Sequence, residues 1–392
     1  LELASFSTYV LVSFFKETKA GTEAGMKYFI VGSVASGVGL YGLSMLYLWA
    51  GSLQLDVLAT TFANSGSEAL PMIAIGFVLV GFGFKVSAAP FHFAAPDAYS
   101  GASSPVAGVL ATASKAMGIV GLLRVLLIIA APESSEDGTV WLACLGLLAV
   151  ITMTWGNLAA LGSTNPKRML AYSSVAHAGY MLAAVTAIGA WNWDDNLSGD
   201  PGEAAVVVLA ALIFHLVVLV AFKLGAFLVL SVLESEGGGS RLSSLGGLAK
   251  REPFLAVSMF IFMISLAGVP PLAGFMSKLL VIMGIVKVAL GDMGDAIATG
   301  SDLGLTDVHW VWWLALAMVI NSAISVYYYL RIGVVMFFED AEPGNEGPLP
   351  NGWQVRLAIL TCLLATLFIG VAGDKLIEIC TIAAESFNYN WA

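Results

Sequence analysis

Four lysines stand in surroundings that a soluble protein rarely gives them: Lys85 in FGFKVSAAPFH, Lys115 in LATASKAMGIV, Lys223 in LVAFKLGAFLV and Lys278 in LAGFMSKLLVI. Glu2, at the start of the chain, is equally apolar in its company. A lysine at a bilayer centre costs on the order of 3 kcal/mol. Four together cost on the order of 10 kcal/mol, as much as the stability of a typical domain. Burial disfavours the charged form of an amine and a neighbouring carboxylate restores it, at about 1.4 kcal/mol per pKa unit. A line of lysines whose carboxylate partner approaches or withdraws is therefore a proton relay that can be loaded and emptied. The expectation is a relay of Lys85, Lys115, Lys223 and Lys278 near the midplane, with Glu2 modulating Lys85. The competing reading is snorkelling, in which the stem lies in hydrocarbon and the ammonium reaches the interface. Snorkelling is the preferred reading for Lys27, Arg124, Lys287 and Arg331, close to helix ends.

The histidines offer further proton carriers. His92 follows the proline at position 90 and is expected to line a water path, while His177 in SSVAHAGYM and His215, two turns before Lys223, suit either packing or proton transfer. No two histidines have the spacing of a haem or metal pair on one helix. Cys144, Cys362 and Cys380 lie far apart, form no C-x-x-C pair and read as small core residues, so they build neither an iron-sulfur nor a zinc ligand set. Gly37-Val-Gly-Leu-Tyr-Gly42 matches a dinucleotide fingerprint in letters only, because no strand precedes it and no acidic residue is placed for a ribose. Its glycines are expected to allow close helix packing. Trp310 to Trp313 and Tyr327 to Tyr329 read as interfacial belts.

The elements that must carry these residues are membrane helices. The chain has 392 residues, of which 58% are hydrophobic and 11% charged, against about 25% charged in soluble domains. Ten apolar segments follow one another: 1–15, 23–50, 69–89, 105–130, 139–161, 168–190, 203–233, 253–290, 309–338 and 355–371. The first, without a leading Met, basic region or cleavage site, is not a signal peptide; it reads as the inside of a helix. Connections alternate in charge. Lys16 and Lys19, then Lys167 and Arg168, then Arg241, Lys250 and Arg251, then Arg331 mark the cytoplasmic side by the positive-inside rule. Asp56 and Glu68, then Glu133, Glu136 and Asp137, then Asp194, Asp195 and Asp200, then Asp292, Asp295, Asp302 and Asp307 mark the other. The net charge of −10 speaks against nucleic acid as a partner.

Two segments are interrupted by proline, at Lys85-Val-Ser-Ala-Ala-Pro90 and at Gly268-Val-Pro270-Pro271. Proline removes a backbone hydrogen bond, and such a break survives in lipid only where protein or a water-filled cavity satisfies the freed groups. Paired interruptions in two halves of a chain mark inverted-repeat transporters.

With these motifs in view, FKVSAAPFHFAAPDAYSGASSPVAGVLATASKAMGIVGLLR (84–124) resembles the signature region of the N subunits of proton-pumping NADH:quinone oxidoreductase, complex I. EAGMKYFIVGSVASG, NPKRMLAYSSVAHAGYM, SLAGVPPLAGFMSK and YYYLRI agree, so the resemblance runs through nearly the whole chain in order. It implies an all-α polytopic membrane protein of inverted five-helix repeats with broken helices, and about four further helices ahead of residue 1. It divides the chain into a first repeat within 1–130, a second over 131–338, and a loop with a C-terminal transmembrane helix over 339–392. It implies that Glu2 pairs with Lys85, that Lys115 and Lys278 are relay lysines, and that Lys27 joins the functional set. It implies no cofactor in this chain, with iron-sulfur clusters, flavin and quinone in partner subunits. The partners it implies are the other membrane-arm subunits and the lipid bilayer, in the cytoplasmic (inner) membrane. Lys223 in FHLVVLVAFKLGAF departs from the N subunit pattern and resembles the larger antiporter-like subunits and Mrp-type antiporters. A second reading is thus an Mrp-type cation/proton antiporter subunit; Glu2 as the sole carboxylate at membrane depth favours protons over metal cations.

Overall fold

The computed structural model describes residues 2–65, 68–130, 136–191, 201–235, 237–239, 241–290, 309–342, 349 and 352–388. Among them all regular structure is helical, the form in which a segment crossing lipid satisfies its backbone polar groups internally. The helices are α1 (Glu2–Val12), α2 (Lys19–Ala50), α3 (Leu55–Ser65), α4 (Ala69–Val86), α5 (Ala94–Gly101), α6 (Ser104–Ala111), α7 (Ala113–Ala130), α8 (Glu136–Leu161) and α9 (Pro166–Trp191). There follow α10 (Pro201–Leu219), a π turn (Val220–Leu224), α11 (Gly225–Glu234), α12 (Leu248–Arg251), α13 (Pro253–Ala267), α14 (Ala273–Leu290), α15 (Trp312–Phe338), α16 (Trp353–Ala372) and α17 (Asp374–Asn388).

Among the described residues nine spans are long and apolar enough to cross a membrane, and they fall on nine of the ten expected segments. The tenth falls on α1, which has 11 residues. The basic connections are described, whereas Glu133, Asp194, Asp195, Asp200, Asp292, Asp295, Asp302 and Asp307 lie outside the described residues, as does the expected division after residue 130. Four helices were not expected: α3 and the short α12 within connections, α5 after the first break, and the amphipathic α17. The last packs along α10 and sets Phe387 under the guanidinium of Arg124, 5.4 Å from the ring centre.

The core forms around α9, which is buried over residues 173–190, while α2 and α16 present mostly exposed apolar side chains suited to lipid. Small residues let the central helices touch. A Cβ on Gly156 would meet the backbone of Ala176, and one on Gly179 would meet Met153, so α8 and α9 approach through reciprocal glycines. Gly39 and Gly42 of the false fingerprint do the same between α2 and α4, against Gly81 and Ala74, while Gly37 touches nothing. Cys380 is buried as expected, but Cys362 is half-buried and Cys144 is exposed, so two of the three cysteines are not core residues.

Candidate proton-transfer site

All four interior lysines are buried, with exposures of 7% for Lys85, 1% for Lys115, 0% for Lys223 and 4% for Lys278. Each ends on protein acceptors inside the helix packing and stands at or close to an irregularity of the chain. Lys115 lies in the first turn of α7, just past Thr112, whose φ of −122° and ψ of −82° separate α6 from α7. Its Nζ donates to the backbone carbonyl of Ser174 on α9 at 2.7 Å. Lys223 lies in the π turn, a device common at functional sites, and donates to the Ser173 hydroxyl at 3.1 Å. Adjacent serines of α9 therefore hold one lysine from each half of the chain.

The proline breaks make the other two sites. At Gly268–Leu272 the chain leaves α13 through Gly268, with φ +87°, and the last carbonyls of α13 have no next turn to accept from. Lys278, in the second turn of α14, donates to Leu266 O at 2.8 Å, Ala267 O at 3.3 Å and Ser322 Oγ at 3.0 Å. A helix C-terminus carries partial negative charge, so this is a favourable place for an ammonium. The Tyr180 ring lies beneath it, 5.7 Å from Nζ to centroid. Gly268 leaves room for the stem, because a Cβ there would lie 3.3 Å from Lys278 Cδ.

Lys85 occupies the corresponding last turn of α4, which closes through Ser87 at φ 62°. Its stem lies against Gly118 of α7, one turn beyond Lys115, and its Nζ donates to Ser5 Oγ at 2.8 Å. Glu2, one turn earlier on α1, accepts instead from Ser36 Oγ at 2.7 Å. The structure thus sets Lys85 of α4 on Ser5 of α1, one turn from Glu2, without a direct ion pair between Glu2 and Lys85. The strand of chain after the break is anchored by Ala89 N–H donating to Thr152 Oγ1 of α8 at 3.0 Å.

His177 and His215 form a pair that the search for spacing on one helix could not find. They stack from α9 and α10, with ring centres 5.3 Å apart and Nδ1 of His177 3.2 Å from Nε2 of His215. His215 Nδ1 continues to Ser277 Oγ at 3.1 Å, next to Lys278. Nε2 of His177 and Nδ1 of His92 are buried without a protein partner among the described residues, so each can accept or donate to water in a path.

A neutral polar network joins the same lysines through α8 and α15. Ser173, which holds Lys223, also bonds the Tyr329 hydroxyl, and Tyr328 OH donates to Asn157 Oδ1 at 2.9 Å. Asn157 Nδ2 donates to Tyr180 OH at 3.2 Å and to Asn321 Oδ1 at 3.1 Å, beside the Ser322 that receives Lys278. The expected tyrosine belt is therefore corrected: only Tyr327 is exposed, and Tyr328 and Tyr329 are buried. Successive helical residues point about 100° apart, so three tyrosines in a row cannot share one face.

Cations at the helix ends follow another rule. Lys27, half-exposed, pairs with Glu23 at 2.7 Å and Asp97 at 2.9 Å, and Arg168 pairs with the same Asp97 at 3.1 Å. Lys167 pairs with Glu234, Lys250 with Asp340 and Arg356 with Glu252. Lys27 is thus apart from the four buried lysines, in a carboxylate pair.

Residues 1–199 and 202–299 match the family described as NADH:quinone oxidoreductase/Mrp antiporter, TM. The chain belongs to this family. Among curated members, NADH-quinone oxidoreductase subunit N 2 of Roseiflexus castenholzii is 38% identical over 384 residues, 97% of this chain and 70% of that protein. NADH-quinone oxidoreductase subunit N of Heliobacterium modesticaldum is 35% identical over 386 residues, 98% of this chain and 72% of that protein. A chain of respiratory complex I from Thermus thermophilus superposes with a TM-score of 0.72 at 33% identity, covering 96% of this chain and 73% of that one. A chain of the Mrp complex from Dietzia sp. shares the fold, with a TM-score of 0.74 at 23% identity over 94% of this chain and 68% of that one. The family's two named branches thus both meet in this fold, and the two sequence relatives described above carry the subunit N name.

Proposed function

We propose that this chain is the proton-translocating subunit N of a complex I type NADH:quinone oxidoreductase, moving protons along Lys85, Lys115, Lys223 and Lys278. The observation that carries the reading is that the four buried ammonium groups end on hydroxyls, carbonyls and an aromatic face, with no carboxylate in ion-pair contact among the described residues. An amine so held can give up its proton without stranding a fixed counter-charge. The serine and tyrosine hydroxyls both donate and accept, and a histidine passes a proton from one ring nitrogen to the other. Ser173, Tyr329, His177 and His215 therefore suit the steps between lysines, and His92 suits entry of water at the first break. Glu2, behind Ser5, is the charge whose approach would hold the proton on Lys85, and Lys27, which shares Asp97 with Arg168, is assigned to the cytoplasmic end of the path.

Moving a proton against about 150 mV costs roughly 3.5 kcal/mol, so a relay of this kind needs a driver. The chain itself carries no redox step in this reading. Flavin, iron-sulfur clusters and quinone belong to partner subunits of the same complex, and their electron transfer moves the charges that load and empty the lysines.

The test is gentle extraction of the tagged full-length protein from its native membrane, with identification of what co-purifies. Iron-sulfur subunits and other antiporter-like chains are expected. Recovery with small antiporter subunits and no redox centres would overturn the reading in favour of a cation antiporter, with Lys223 as its first residue to examine.

A further inference from the structure

Among the described residues, Lys167 and Glu234 form a part-buried contact in which a cation and a carboxylate tie three helices of the site together. Lys167, in the first turn of α9, is 4% exposed and donates to the backbone carbonyl of Ala102 at 2.6 Å as well as to Glu234 Oε1. Glu234, the last residue of α11, uses its other oxygen to accept the backbone N–H of Ser104 at 2.9 Å. That N–H opens α6, whose own N-cap residue Ser103 makes no side-chain capping bond. A carboxylate from a distant helix therefore caps α6, at the helix end where negative charge is favoured.

The positions of the two lysines give this contact meaning. Lys115 lies eleven residues after Ser104, across the Thr112 interruption and in α7, and Lys223 eleven residues before Glu234, in the π turn that leads into α11. Between the contact and the lysines α6 and α11 touch closely, since a Cβ on Gly108 would lie 2.7 Å from Leu224 Cδ1 and 3.2 Å from Phe227 Cβ. α9 then supplies Ser173 and Ser174, six and seven residues beyond Lys167, as the acceptors for both lysines. A shift of the clasped ends therefore reaches both ammonium groups through the α6–α11 contact and through α9.

We propose that Lys167 and Glu234 are positioning residues: their clasp fixes the α6–α7 and α11 arms against α9, and so sets the proton-transfer distance between Lys115 and Lys223. The inference rests on the relay reading above. It differs from the role of the interior lysines, because the clasp needs charge and reach and never a change of protonation. Lys167→Arg is therefore tolerated, and Glu234→Gln, which keeps shape but loses charge, is not.

The test uses the complete complex in native-membrane vesicles, with protons pumped per electron and amide hydrogen exchange over Ser104–Ala111 read for each variant. Glu234→Gln and Lys167→Met are expected to lower protons per electron by about three- to tenfold and to speed exchange at the start of α6, with electron transfer retained and Lys167→Arg close to the parent. A purely structural role would reduce the amount of complex without moving the ratio. Should Glu234→Gln fail to assemble, Glu234→Asp takes its place with the same two expected changes. Parent-like ratios and exchange in the assembled variants would overturn the clasp while Lys115→Ala still abolishes pumping. Normal pumping by Lys115→Ala would instead overturn the relay reading itself.

Discussion

At the helix ends Lys27, Lys167 and Arg168 each touch a carboxylate, whereas in the interior Lys85, Lys115, Lys223 and Lys278 end on hydroxyls and carbonyls. The first arrangement fixes charge: an ion pair holds both partners ionised and ties elements together. The second leaves charge movable, since neutral acceptors accommodate the amine with or without its extra proton. Cationic side chains thus separate into fasteners and carriers according to what faces them. The helices agree with this division. The carriers sit at a break, an interruption, a π turn and a second break, where backbone groups or open space are available, while Lys167 and Arg168 sit in the regular first turn of α9.

The comparison is broken most directly by removing carriers. Lys115→Ala and Lys278→Ala are each expected to lower proton pumping by about tenfold or more, equivalent to about 1.4 kcal/mol or more on the transfer barrier, in complexes that assemble in normal amount on native gels. The neutral network between carriers comes next. Asn157→Ala leaves Tyr328, Tyr180 and Asn321 short of partners and is expected to destabilise the protein by about 1–3 kcal/mol, read as a lower melting temperature in detergent. Gly268→Ala forces a side chain into the left-handed region at φ +87° and against the Lys278 stem. A cost of about 1–2 kcal/mol should appear as a partial loss of pumping at unchanged electron transfer. Smallest of all is Lys27→Arg, which keeps the half-exposed pair with Asp97 and should change pumping by less than about twofold, as exposed ion pairs contribute little.

Much of this was legible in the sequence because lipid imposes strict rules. Apolar runs located nine spans, prolines marked both breaks, and a lysine inside an apolar run cannot be overlooked. The interruption at Thr112 and the π turn at Lys223 carry no proline, so no breaking residue marks them in the sequence. The pairing of His177 with His215 joins two helices and has no spacing to detect. Asn157 and Asn321 are neutral residues that hydropathy scarcely registers, and Tyr328 and Tyr329 took on an interfacial reading because burial is a tertiary property. α17 was missed because its apolar face is confined to one side of a short amphipathic helix.

The most direct test of the division between carriers and fasteners is proton pumping per electron with Lys115→Arg in the assembled complex. Arginine keeps the positive charge but does not release its proton in a protein. Pumping as low as in Lys115→Ala is the predicted result, and pumping at the parent level would show that the interior charge is static and contradict the account.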